Sequence, residues 1–109
     1  MKPIDPQGAM ETIWKIAPEF AKAKGERVYL EEYRKTLKAM LMKSCGVEAI
    51  GAQEREAYAH EDYRTHLLGL QASVEREESL KWRLIAAQAA IDIWRTQQAN
   101  NRNNHRAAA

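Results

Sequence analysis

The stretch Leu80-Lys81-Trp82-Arg83-Leu84 sets an indole between two cations. Proteins that hold single-stranded nucleic acid use this combination, with an aromatic ring stacked on a base and cations on the phosphates. Side chains two apart on a helix point about 200° from one another. Lys81 and Arg83 therefore converge on one phosphate only through their length or with the help of a neighbouring subunit. Trp82 is equally suited to packing in a core or an interface. A second basic stretch, Arg34, Lys35 and Lys38 with Lys43 beyond it, is the next candidate for an anionic strand.

Other chemistry finds no support in the residue spacing. The three histidines, 60, 66 and 105, share no metal-ligand spacing with one another or with Cys45, and are read as solvated or capping residues. Neither a glycine-rich phosphate loop nor a serine in a nucleophile elbow is present. Glu75, Glu77 and Glu78 read as a solvated helix face, with Glu77 and Lys81 at the i,i+4 spacing of an ordinary ion pair. The lone Cys45 reads as a half-buried residue at a helix end, and one cysteine cannot form an intramolecular disulfide. No enzyme activity, cofactor or metal is expected.

Charge is ordered along the 109 residues although the net charge is only +2. Residues 11–43 carry 8 basic and 5 acidic side chains, residues 48–78 carry 3 and 8, and residues 79–109 carry 5 and 1. In a helical hairpin the basic stretch 34–43 would lie near Glu54, Glu56, Glu61 and Asp62 and be neutralised there. The C-terminal cations, Lys81, Arg83, Arg95, Arg102 and Arg106, meet only Asp92 in their own block, which makes them the better surface for an anionic partner.

The elements that must position these residues are helical. Leu, Ile, Val and Phe number only 19, whereas Ala alone numbers 18 and 29% of residues are charged. That is a thin stock for a globular core but a helix-forming composition. Apolar runs are too short for a membrane span or a secretory signal, so a cytoplasmic protein without a membrane partner is expected. Pro3, Pro6 and Gly8 suggest a leader over 1–8. A short helix over about 9–17 is expected to stop at Pro18, with a kink or restart there. A long helix follows to Ser44, with Phe20, Tyr33, Leu37, Met40, Leu41 and Ser44 on one face and Gly46 as a left-handed cap. Residues 47–60 form a turn with a helical piece at 52–58. A last helix over 61–99 carries two seams, Tyr63-Leu67-Leu70-Val74 and Leu80-Leu84-Ala87-Ile91-Trp94, offset by a slip between 74 and 80. Residues 100–109 read as a disordered polar tail. The fold expected is all-α: a long antiparallel hairpin with a short N-terminal helix and a single domain over 9–99. Helices this long cannot cover both apolar sides within one hairpin, so coiled-coil assembly into a homo-oligomer is expected through Leu80, Leu84, Ile91 and Trp94.

Leu80-Lys81-Trp82-Arg83-Leu84 resembles the short Leu-Lys-Ala-Arg motif of phage recombination mediators of the UvsY type, with Trp82 where that family has alanine. The stretches from Glu26 to Lys35, Ala52 to Tyr58, Leu80 to Ala89 and Ile93 to Thr96 are also similar to a small phage protein family associated with that function. The resemblance covers roughly residues 20–100. It implies an all-helical bacteriophage protein, acting in the host cytoplasm in DNA recombination. Such a protein assembles into a ring-like homo-oligomer, holds single-stranded DNA and helps a RecA-like recombinase displace single-strand-binding protein. The motif's basic pair falls on Lys81 and Arg83. Two other readings need no nucleic acid: a helical interaction module, such as a phage regulator or host-inhibitory factor, and a morphogenesis or packaging component.

Overall fold

The computed structural model describes residues 2–108, of which 91% are helical, with no strand among them. The three helices are α1 (Pro6–Ser44), α2 (Ile50–Ala59) and α3 (Glu61–Ala108). The all-α expectation holds. No helix among the described residues is long and apolar enough to cross a membrane.

Proline explains where the helix boundaries depart from the sequence reading. The Ala9 N–H donates to the Asp5 carbonyl at 3.1 Å, so α1 starts at Pro6 and the leader ends at Asp5, with Met1 outside the described residues. Pro6 sits in the first turn, where its missing N–H would have lacked an intrahelical acceptor anyway. The helix also runs through Pro18 without restarting, so no separate short N-terminal helix exists. Only the bond to the Trp14 carbonyl is lost, and both residues lie on the exposed side. Gly46 ends α1 as expected, with φ 77°.

His60 links the remaining helices. Its N–H donates to the Ala57 carbonyl at 3.3 Å, closing α2, and its carbonyl accepts from Tyr63 and Arg64 to open α3. Its ring Nδ1 accepts the Asp62 N–H at 3.0 Å, which makes it the capping histidine foreseen. Beyond Ala99 no Pro or Gly intervenes, and α3 continues through the stretch read as a disordered tail to Ala108. Asparagine costs only a few tenths of a kcal/mol per helical position, and His105 and Arg106 complement the helix C-terminus. Ala109 lies outside the described residues.

Contacts group the chain into two compact units. The first holds the chain up to Ala21 and from Ser79 onward, and the second is Lys22–Glu78. In the first, Ile16, Leu80, Ala87 and Ile91 are buried, while Ile13, Phe20, Leu84 and Trp94 are half-buried. In the second, Leu37, Leu41, Ala57 and Tyr63 form a core against which Tyr33 and Met42 pack. There the His66 Nε2–H donates to the Leu30 carbonyl at 2.7 Å, Arg27 pairs with Glu77, and Arg76 donates to Glu26 at 3.3 Å.

The inward side of α3 corrects the expected slip. Tyr63, His66, Leu70, Ser73, Glu77, Leu80, Leu84, Ala87, Ile91 and Trp94 are buried or half-buried and follow one another by alternating steps of three and four, with Ala90 and Ala99 half-buried beside this series. The seam is one unbroken heptad pattern. The apparent break arises because polar His66, Ser73 and Glu77 occupy seam positions, while Leu67 and Val74, assigned to the seam by hydrophobicity, are 41% and 37% exposed. The register changes in α1 instead. Ile13, Ile16, Phe20, Ala23, Arg27 and Leu30 alternate by threes and fours, after which a second step of three reaches Tyr33, followed by Leu37 and Leu41. Met40 and Ser44, expected on this face, are exposed.

Candidate nucleic-acid interface

The segment Lys81-Trp82-Arg83 is presented by a straight run of helix whose flanking leucines face inward. Leu80 is 6% exposed and Leu84 half-buried, whereas Trp82 is 60% exposed and both neighbouring cations are exposed. Trp82 is therefore not a core residue of its own chain. Leu80, Leu84, Ile91 and Trp94, the residues expected at an interface between chains, all lie on the inward side of α3. Leu80 and Ile91 are buried within one chain and the other two are half-buried there, because they form the seam. The exposed apolar positions nearby are Ile85 and Ile93, on the same side of α3 as Trp82.

Lys81, Arg83, Arg95, Arg102 and Arg106 are all exposed on α3. Asp92, the sole carboxylate of that block, accepts a hydrogen bond from Gln88 Nε2 at 3.2 Å. Trp94, Arg95, Gln98 and Arg102 line one shallow hollow, a second pairing of indole and guanidinium. Trp94, Gln98 and Arg102 are four apart along one face, the spacing that could have revealed it, with Arg95 beside Trp94.

The basic stretch of α1 is arranged differently. Lys38 Nζ lies 3.5 Å from Glu54 Oε1 and 4.7 Å from the Tyr58 ring centroid. Of the neutralising partners foreseen, Glu54 is the one seated there. Tyr58 and Glu54 raise the Lys38 pKa above its ordinary value against the opposing effect of partial burial. Lys35 pairs with Glu32 at 3.2 Å, both highly exposed. Arg34, Lys35, Lys38, Tyr58 and Tyr63 line a cavity of 350 Å³ that is open to solvent. The sequence reading missed the two tyrosines. Tyr58 follows Glu54 by one helical turn, so a pairing of Glu54 with Lys38 brings its ring along.

The remaining titratable residues serve the scaffold. Arg27 donates through Nη1 to both Glu31 oxygens at 3.0 Å and through Nη2 to Glu77 at 3.2 Å, contacts that raise its pKa. Cys45 is half-buried after α1, and its thiol donates to the Met42 carbonyl. No cluster of three metal-ligating side chains occurs among the described residues. The chain matches no family model, no curated protein and no solved structure.

Proposed function

We propose that the protein is a non-enzymatic recombination mediator that binds single-stranded DNA through Lys81, Trp82 and Arg83 and assists the loading of a RecA-like recombinase against single-strand-binding protein. The observation that carries this reading is the exposure of Trp82, 60%, between two exposed cations on a helix that carries three further exposed arginines and one carboxylate beyond them. The exposed indole offers a face for stacking, and a base would engage both the ring and its cationic neighbours. Assembly into a homo-oligomer of hairpins would let a neighbouring copy complete the phosphate contacts that the 200° separation of Lys81 and Arg83 leaves open.

Fluorescence anisotropy with labelled single strands tests the reading. Affinity is expected to fall with salt by about 0.7 log units per log unit of salt for each phosphate neutralised. Lys81→Ala with Arg83→Ala should weaken binding and flatten that slope at unchanged helix content. Binding like that of the parent would refute this site. Trp82→Ala should cost roughly 5- to 150-fold in affinity, the range of one lost base stack.

The alternative is a helical interaction module without nucleic acid. It is favoured by fourteen large apolar side chains exposed among the described residues, against nine hydrophobic residues in the core. An absence of strand binding at low salt would select it.

A further inference from the structure

The cavity in the unit Lys22–Glu78 joins all three helices: Arg34, Lys35 and Lys38 come from α1, Tyr58 from α2 and Tyr63 from α3. Its existence follows from the register change in α1. Had the alternation of the preceding turns continued past Leu30, Arg34 would occupy the seam. The shortened step puts Tyr33 there instead and leaves Arg34 exposed beside Lys35 and Lys38.

The three cations are held to different degrees. Lys38 is fixed between the Glu54 carboxylate and the Tyr58 ring, with its side chain 29% exposed. Lys35 is held only by Glu32, an exposed pair of the kind that water and salt loosen. Arg34 is exposed. The cavity thus offers one preset cation and two able to turn towards a ligand, while Glu32 and Glu54 leave a positive balance. Its aromatic wall is an edge-to-face pair, Tyr58 against Tyr63 at 5.2 Å and 83°. Tyr63 belongs to the core at 9% exposure, and Tyr58 remains 51% exposed. A volume of 350 Å³ lies at the small end of the about 300–1,000 Å³ typical of ligand pockets, room for one nucleotide unit.

We infer that this cavity binds a nucleoside phosphate, with the phosphate on Arg34 and Lys35 beside the fixed Lys38 and the base against the exposed part of the Tyr58 ring. An acidic peptide would use the cations but leave the ring idle, which is why a nucleotide fits better. The phosphate belongs either to a unit of a single strand or to a free nucleotide. The site extends the nucleic-acid reading to a second unit of the chain and does not depend on Lys81, Trp82 or Arg83.

The test uses the full chain, with labelled oligo(dT) followed by anisotropy and dAMP by titration calorimetry. The proteins compared are the parent, Arg34→Ala with Lys35→Ala, Tyr58→Leu, Tyr58→Phe, and Lys81→Ala with Arg83→Ala. Circular dichroism checks that each is folded. Tyr58→Phe keeps the ring and should bind like the parent. Tyr58→Leu should lose roughly 5- to 150-fold, and the Arg34/Lys35 variant should lose affinity with a flatter salt slope. Losses confined to oligo(dT) identify a strand as the source, and losses that include dAMP identify a free nucleotide. If Tyr58→Leu and the Arg34/Lys35 variant match the parent on both probes while the Lys81/Arg83 variant fails on oligo(dT), the cavity site is overturned and the earlier reading stands. The opposite pattern overturns the earlier reading alone. Binding of neither probe by the parent, or displacement by polyglutamate as readily as by dAMP, also overturns the cavity site.

Discussion

At the scale of single residues, the seam holds polar groups where packing alone would place leucine. Glu77 is paired with Arg27, whereas Glu75 on the exposed side of the same turn lies outside the seam. Glu77→Ala should therefore lower the melting temperature and Glu75→Ala should leave it nearly unchanged, as thermal unfolding followed by circular dichroism would show. Ser73 presents the contrary case. Its hydroxyl is buried and has no hydrogen-bond partner, a condition that costs about 1–3 kcal/mol. Ser73→Ala removes that cost and gains helix propensity, so it should stabilise the protein by about 1 kcal/mol in urea unfolding. Lys38 adds a pH dependence. Its folded pKa is raised above the ordinary 10.5, so its contribution is fully present below pH 10.5 and is lost as the pH climbs through the folded value. Lys38→Met should remove that alkaline component while leaving stability at neutral pH dependent on the other contacts.

At the scale of elements, backbone chemistry decides where helices stop. Pro18 stands inside α1 and forfeits one backbone bond. Pro18→Ala should strengthen this helix by up to about 3 kcal/mol, read as a higher urea midpoint. Gly25 and Gly46 should respond oppositely to alanine. Gly25 is helical, and an added Cβ meets nothing within 4 Å, so the substitution should gain about 0.5–1 kcal/mol. Gly46 has φ 77°, where a Cβ is strained, so Gly46→Ala should destabilise by about 1 kcal/mol. The helix ends at Ser44 and the cap at Gly46 could be read from the sequence because both depend on local rules. The continuation through Pro18 could not, since tolerating a proline depends on which side of the helix faces the solvent.

At the scale of the whole molecule, more large apolar side chains lie exposed than core residues lie buried. The proposed homo-oligomer would cover part of this surface. Sedimentation should show association that increases with concentration, and long strands should bind far more tightly than short ones, because each added subunit engages at high effective concentration. The sequence by itself determined the helical class, the cap at Gly46, the short helical piece at 52–58 between two long helices and the cationic character of the residues after 78. All of these follow from propensity, capping and charge, which act between residues close along the chain. Tertiary structure alone decided which side of each long helix faces inward. Hydrophobicity placed Leu67, Val74 and Met40 inside, yet His66, Ser73, Glu77 and Arg27 occupy seam positions instead. Ser73 enters the seam without a partner, whereas His66 is satisfied by the Leu30 carbonyl and Glu77 by Arg27, both on another helix. Such partners lie tens of residues away, so no local pattern reveals them. For the same reason the basic stretch at 34–38 was legible as charge, while the cavity it forms with Tyr58 and Tyr63 emerged only when three helices were brought together.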